Sequence, residues 1–325
     1  MTGGYLILER PNPRLVLSTS AHFYTIVKPL LEEIKPDSWA WAWTDVKVTS
    51  PQLNRESMYK LSMKNLTLQS VSRQVYTGES GNPFVEQAVQ YSVAAAYATA
   101  DKDMKEVLQK LLLQGLDITI LGSNDFYSYQ NQIEARGLPL LPESLAALPP
   151  FASITFNSGE SSGENSKPEV AKAGLGSSAA MTSSVVAALL HYLGVVDLAH
   201  VKGTADLDVV HIIAQTAHCI AQGKVGSGFD VSSVVYGSHR YVRFSPEVAI
   251  KGAPLGEVVI EILKGKWDHE RTKLSLPPLM NLWMEQATQQ SQEVIAKALL
   301  GARVAMLGIR YHMRLMGEAA CIPVY

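Results

Sequence analysis

Lys172-Ala173-Gly174-Leu175-Gly176-Ser177-Ser178-Ala179-Ala180 runs without a break into Met181-Thr182-Ser183-Ser184-Val185-Val186-Ala187-Ala188-Leu189-Leu190. Small, flexible and hydroxyl residues thus lead straight into an apolar helix pattern. Glycine lets the backbone pass close to a ligand, serine caps helices or touches anions, and unpaired N–H groups at a helix start favour negative charge. The stretch reads either as a phosphate-binding loop or as a capped core helix behind a flexible loop.

Gly174, Gly176 and Ala179 also satisfy the loose glycine spacing of a dinucleotide fingerprint, with Asp197 as the acid further on. That fingerprint directly follows a strand. Here the preceding residues are Glu164-Asn165-Ser166-Lys167-Pro168-Glu169-Val170, which read as loop, so the fingerprint fails. No Gly-x-x-x-x-Gly-Lys-Ser/Thr run occurs either. What remains is a phosphate loop of another design, with Lys172 as a local cation and Ser177 or Ser178 reaching phosphate or a magnesium ion.

Upstream, Asn157 to Lys167 is dense in Ser, Gly, Glu and Asn, a composition that packs no core and reads as a mobile loop or lid. Downstream, Asp206 to Gln222 has helical periodicity and closes at Gly223. Lys224-Val225-Gly226-Ser227-Gly228-Phe229-Asp230 then forms a second Gly/Ser turn that delivers an acid near the start of another short helix. Phosphoryl transfer needs a charge clamp, a metal bridging phosphate oxygens and an oriented acceptor. Asp230 is the candidate for the last role, since Gly226 and Gly228 allow close approach to a ligand; the alternative is a helix cap. Lys224 either holds an anionic substrate or faces water.

The remaining chain mixes both periods. Strands are expected at 5–8, 15–17, 23–27, 116–121, 154–156, 241–244 and 258–263, and helices at 84–97, 104–112, 177–192, 279–300 and 304–315. Trp39, Trp41 and Trp43, followed by Val46 and Val48, predict a strand whose aromatic face is buried. The proline-rich segment from Pro139 to Pro150 is expected to be surface loop. A soft boundary falls between about 246 and 256, because character changes there and again at Pro277-Pro278.

The chain's 325 residues can bury a large core in one or two domains. A formal net charge of -2 gives no basic excess toward nucleic acid or an anionic membrane, yet leaves room for an anionic small substrate. Two cysteines, Cys219 and Cys321, exclude a disulfide framework and fit a reducing compartment, with Cys219 expected as inert core. No basic lead with a long apolar run opens the chain, and no apolar run reaches membrane-spanning length. His211 and His218, seven apart on one helix, read as core or surface residues rather than a zinc pair.

The segment Lys172 to Ala180 resembles the second, ATP-binding motif of the GHMP kinases. Together with Gly3-Gly4-Tyr5-Leu6-Ile7-Leu8-Glu9-Arg10-Pro11-Asn12, Gly115-Leu116-Asp117-Ile118-Thr119-Ile120-Leu121-Gly122 and Gly223 to Asp230, it is similar to the plant and fungal phosphomevalonate kinase family. The resemblance covers nearly all of residues 1 to 280. It implies an α+β GHMP kinase fold: an N-terminal domain over 1–250, like the second domain of ribosomal protein S5, and part of a C-terminal α+β domain over 251–325.

It also implies ATP and Mg2+, with 5-phosphomevalonate as the phosphate acceptor, no nucleic acid or membrane partner, a monomer or homodimer, and a cytoplasmic or peroxisomal setting. By position, Asp230 and Lys172 match the catalytic aspartate and the basic residue beside the ATP loop. Gly174, Leu175, Gly176, Ser177, Ser178, Ala179 and Ala180 match that loop, with Ser178 also as magnesium ligand. Lys224, Ser227 and Gly228 match the turn that faces the substrate.

Three departures stand out. The family carries Ala-Pro-Gly-Lys ahead of the segment matching Thr2 to Tyr5, a Gly/Ser/Thr-rich stretch after the one matching Leu276 to Met280, and a Gly-rich third loop later. None is found here. The resemblance therefore implies a truncated or alternatively spliced relative whose turnover is reduced or absent, or a non-catalytic ATP-binding relative.

Overall fold

The computed structural model describes residues 8–32, 42–71, 81–139, 141–154, 172, 174–200, 204–245, 255–265 and 267–273. In chain order the strands are β1 (Arg14–Val16), β2 (Phe23–Pro29), β3 (Trp43–Ser50), β4 (Arg55–Ser62), β5 (Leu68–Ser70), β6 (Leu116–Gly122), β7 (His239–Val242) and β8 (Glu270–Lys273). The helices are α1 (Pro83–Thr99), α2 (Lys102–Leu113), α3 (Gln130–Ala135), α4 (Pro142–Ala146), α5 (Ser177–Tyr192), α6 (Ala205–Gln222), α7 (Phe229–Tyr236) and α8 (Leu255–Lys264).

A five-stranded sheet has the order β2-β6-β3-β4-β5. β6 runs antiparallel to β2 and parallel to β3, the long crossover between β3 and β6 containing α1 and α2. Register sorts the side chains by face. Thr25 opposes Ile120 and Val27 opposes Ile118, so these point inward with the buried Leu116. Lys28 opposes Asp117 and Asp45 opposes Lys60, with ion-pair distances of 3.4 and 3.7 Å on the outer face. One wet face and one dry face are what a period of two demands of a half-covered sheet.

Helices cover the dry face. α1 is buried nearly all round, with Ala88, Val89, Val93 and Ala95 at zero exposure, and it packs against α5, α6 and α8. Its start is well specified: Pro83 occupies the first turn and the Asn82 side chain accepts from the Phe84 N–H. The small residues of α5 allow close approach; Ala179, Val186, Leu189 and Leu190 are all fully buried. Thr25 and Ser184 hydroxyls meet at 2.8 Å, tying the middle of α5 to β2. A second sheet, β1-β7-β8, is antiparallel throughout.

Two expectations are corrected. Residues 258–263 lie in α8 rather than a strand: Val258, Val259 and Ile262 are buried against the main core, the spacing of a helix face, and this packing prevails over β-branched content. Trp43 is on the exposed face of β3, 37% accessible, while Thr44 and Val46 on the opposite face are buried; the tryptophan at 43 and the valine at 46 differ in parity and cannot share a face.

The proline-rich stretch holds one short helix, α4, and with α3 just before it surrounds a satellite core of Tyr129, Ile133, Leu148 and Ala152. A hairpin partner, β4, was not anticipated; Tyr59 and Leu61 face inward and Lys60 outward. The expected elements at 5–7, 39–41, 155–171 and 279–315 lie outside the described residues.

Candidate active site

Two helix starts define the site. α5 begins after Gly174 and Gly176, both left-handed with φ of 80° and 73°. A Cβ added at either would meet no atom of the described residues within 4 Å, so among these the space beside the loop is open. No side chain caps α5 and no acid lies in its first turn. Its leading N–H groups and dipole therefore favour an anion. Lys172 is exposed and bridges to Tyr127; it does not line the cavity that holds Asp230.

α7 begins after Gly228, also left-handed and without a side-chain cap, and carries Asp230 in its first turn. Gly228 lines the Asp230 cavity, and protein packing gives a separate reason for glycine there. An added Cβ there would lie 2.6 Å from the Phe244 ring, 2.9 Å from Gln215 Oε1 and 3.0 Å from the Tyr241 hydroxyl, so this glycine is required by protein packing. Gly226 is the open one, with φ of 63° and only Gln222 Oε1 at 4.0 Å. The turn is held from below: the Tyr241 hydroxyl donates to the Ser227 carbonyl at 3.0 Å, and Arg243 donates to the carbonyls of Gly226 and Leu8 at 2.5 and 2.6 Å.

A cavity of about 510 Å³ opens between these parts, lined by Lys224, Val225, Gly226, Ser227, Gly228 and Asp230 from the turn and by Gln215, His218 and Gln222 from α6. Arg243 and Leu8 complete the wall. Asp230 is partly exposed and its Oδ1 accepts from the Val231 N–H at 3.0 Å; it lies inside the first turn of α7 and Gly228 is the N-cap, so Asp230 does not cap the helix. Lys224 and Arg243 supply positive charge at the same cavity, suited to an anionic ligand.

His218 joins the two halves. It is 2% exposed, with Nε2 3.2 Å from Ser178 Oγ and 4.0 Å from Asp230 Oδ2. Burial lowers its pKa, against an upward pull from Asp230. Leu175 and Ala180 instead face a second cavity of about 530 Å³, between α5, α6, α7 and the β1–β2 connection. The loop thus lines the second cavity and meets the first only through the Ser178–His218 contact. Of the expected site residues, Asp230, Lys224, Ser227 and Gly228 share one cavity and Ser178 reaches it through His218; Lys172 lines neither.

Sequence reasoning missed His218, Gln222 and Arg243. The available signal was a histidine and a glutamine four apart in the last turns of a helix that ends at the Gly/Ser turn. Cys219 is buried, its thiol pushed up by burial, as inert core requires.

Comparison with known proteins agrees with this architecture. Residues 160–238 match the family described as GHMP kinases N terminal domain. The chain is 56% identical to "Phosphomevalonate kinase, peroxisomal" of Arabidopsis thaliana, over 100% of this chain and 80% of that protein. That match runs over 411 positions against 325 residues here, so the plant protein carries internal sequence with no counterpart in this chain.

A phosphomevalonate kinase of Gibberella zeae is 31% identical over 84% of this chain, which spans 57% of the fungal protein. One from Saccharolobus solfataricus is 42% identical over 74 residues, 23% of this chain and 20% of that protein. No solved structure matches. A full-chain match to the plant protein and a GHMP domain that contains both Gly/Ser turns place the chain in a family: it belongs to the GHMP kinases, in the branch of the phosphomevalonate kinases.

Proposed function

We propose that this protein transfers the γ-phosphate of ATP to the phosphate of 5-phosphomevalonate, giving 5-diphosphomevalonate and ADP. The observation that carries the reading is the facing pair of uncapped helix starts, α5 behind the open Gly174–Gly176 loop and α7 with Asp230, joined by His218. In this reading Gly174 to Ala180 hold the phosphate chain of ATP, while Lys224 and the Ser227–Gly228 turn hold the acceptor. Lys172 acts from outside the Asp230 cavity, on the nucleotide side.

The acceptor is a phosphate monoester whose second pKa is about 6, so near pH 7 its nucleophilic oxygen is already ionised. Asp230 therefore orients the acceptor more than it deprotonates it. Two anions meeting in one cavity need compensation, which Lys224, Arg243 and the α5 N-terminus provide.

Ser178 and Asp230 offer an uncharged and a charged oxygen to one side of the same imidazole, a donor set that fits a magnesium ion sharing its remaining positions with phosphate and water. Such an ion would neutralise charge on the phosphate oxygens. Residues 1–250 form the ATP-binding domain in this reading, and α8 and β8 are the parts of the following domain that pack on it. The compartment follows the Arabidopsis relative, whose name is peroxisomal.

A second reading, ATP binding without turnover, is favoured by the internal sequence of the plant protein that this chain lacks. Coupled ADP release separates the two. Turnover that depends on 5-phosphomevalonate, slower than that of the plant relative and abolished in D230N, is the expected result. Calorimetric ATP-magnesium binding with no ADP release would establish the second reading. An unchanged rate in D230N would remove Asp230 from the chemistry.

A further inference from the structure

The imidazole of His218 has a settled proton. Its ring packs on Phe84 with centroids 5.3 Å apart, and the Gln222 side-chain nitrogen lies 2.7 Å from Nδ1 and 2.8 Å from Nε2. A carboxamide nitrogen only donates, so the ring nitrogen it addresses must be the unprotonated one. The two distances are nearly equal and do not choose between the nitrogens. The Asp230 carboxylate does, because Oδ2 at 4.0 Å from Nε2 favours the N–H on that nitrogen, where it faces Ser178 Oγ at 3.2 Å, and leaves Nδ1 to accept from Gln222. The reverse tautomer would set the Gln222 N–H against the Nδ1 N–H. It would also make Ser178 spend its only proton on the ring.

We propose that His218 is a positioning residue for phosphoryl transfer: its Nε2–H donates to Ser178 Oγ, so that the serine hydroxyl proton points out of the loop toward the transferring phosphate, and it sets the spacing between Ser178 and Asp230. The proposal rests on the phosphoryl-transfer reading above. A donor occupying a hydroxyl lone pair leaves the O–H free to rotate toward an anion, and a hydrogen bond chain of this kind polarises each member. Gln222 acts one step further back by fixing the tautomer, as carboxamide and carboxylate partners do for other functional histidines.

Three variants test this. H218F keeps a ring against Phe84 and removes both nitrogens; H218Q returns an N–H donor near the place of Nε2; S178A removes the acceptor. H218F is expected to lower kcat by about 10- to 100-fold with KM for ATP nearly constant, because a displaced catalytic group costs rate on that order. H218Q is expected to recover most of the loss, and the S178A/H218F double variant to be no slower than S178A.

Retained kcat in H218F, losses that multiply in the double variant, or equal loss in H218F and H218Q would overturn it. Nitrogen-15 NMR of the resting wild-type protein reads the tautomer without turnover, and Nδ1–H on His218 would overturn the proposal on its own. If wild type releases no ADP with 5-phosphomevalonate, the activity reading fails. The tautomer and its response to S178A would still decide the role of His218.

Discussion

Gly228 and Gly176 share a backbone conformation and differ in surroundings, which makes them a controlled pair for alanine substitution. Their φ values are 74° and 73°. Placing an L-residue in the left-handed region costs about 1–2 kcal/mol at either site. At Gly176 the described residues add nothing else, since none of their atoms lies within 4 Å of the new methyl. At Gly228 the methyl would sit 2.6 Å from Phe244, a fully buried ring wedged beside Trp267, and 3.0 Å from the Tyr241 hydroxyl that anchors Ser227.

Overpacking of that kind costs about 1–3 kcal/mol more. At roughly 2–4 °C per kcal/mol for a domain of this size class, G228A should melt about 2–12 °C below G176A. Function should rank the other way. G176A places a methyl in the open space beside the ATP loop and should weaken ATP-magnesium binding at least tenfold, whereas G228A should retain binding at temperatures where it is folded. Differential scanning calorimetry and ATP titration of both variants give the comparison. Equal melting temperatures, or intact ATP binding in G176A, would refute the reasoning from packing.

Two other outcomes concern the core. His211 is fully buried, neither ring nitrogen has a hydrogen-bond partner, and His269 and His239 lie close by with Arg271; burial first, then these neighbours, lower its pKa, and burial also leads the lowering at His239 and His269. With folded pKa values below the ordinary histidine value of 6.5, the unfolded chain binds more protons in acid, so stability should be fully present above pH 6.5 and fall as pH drops below that value.

H211F should make this acid slope shallower and leave neutral-pH stability unchanged or raised, by urea unfolding at pH 5.5 and 7.5; a steeper slope would contradict it. Leu189→Ala, at a fully buried position of α5, should cost about 2–5 kcal/mol in the same assay while leaving the ATP loop residues in place.

Much of the site was legible in the sequence because it depends on local chemistry. Gly174 and Gly176 before Ser177, and Gly226 and Gly228 before Asp230, are turns whose left-handed backbone only glycine adopts without strain, and a helix start follows each. Strands β2 and β6 and helices α1, α2, α5 and α6 carry their periods openly. Where the period was short or mixed, reading failed. Val258 to Leu263 has the composition of a strand and became α8 because Val258, Val259 and Ile262 meet α1 on one helical face.

The sequence by itself determined that two glycine turns open two helices, one bearing serines and one an aspartate, since backbone conformation and capping are set within a few residues. Only the tertiary structure decided how those turns meet. Packing of α6 between them puts His218 within reach of both Ser178 and Asp230, sends Leu175 to a different cavity, and makes glycine at 228 a requirement of packing as well as of the turn. These are contacts between residues 12 to 40 positions apart in the chain, and no periodicity records which side chains a folded core will bring face to face.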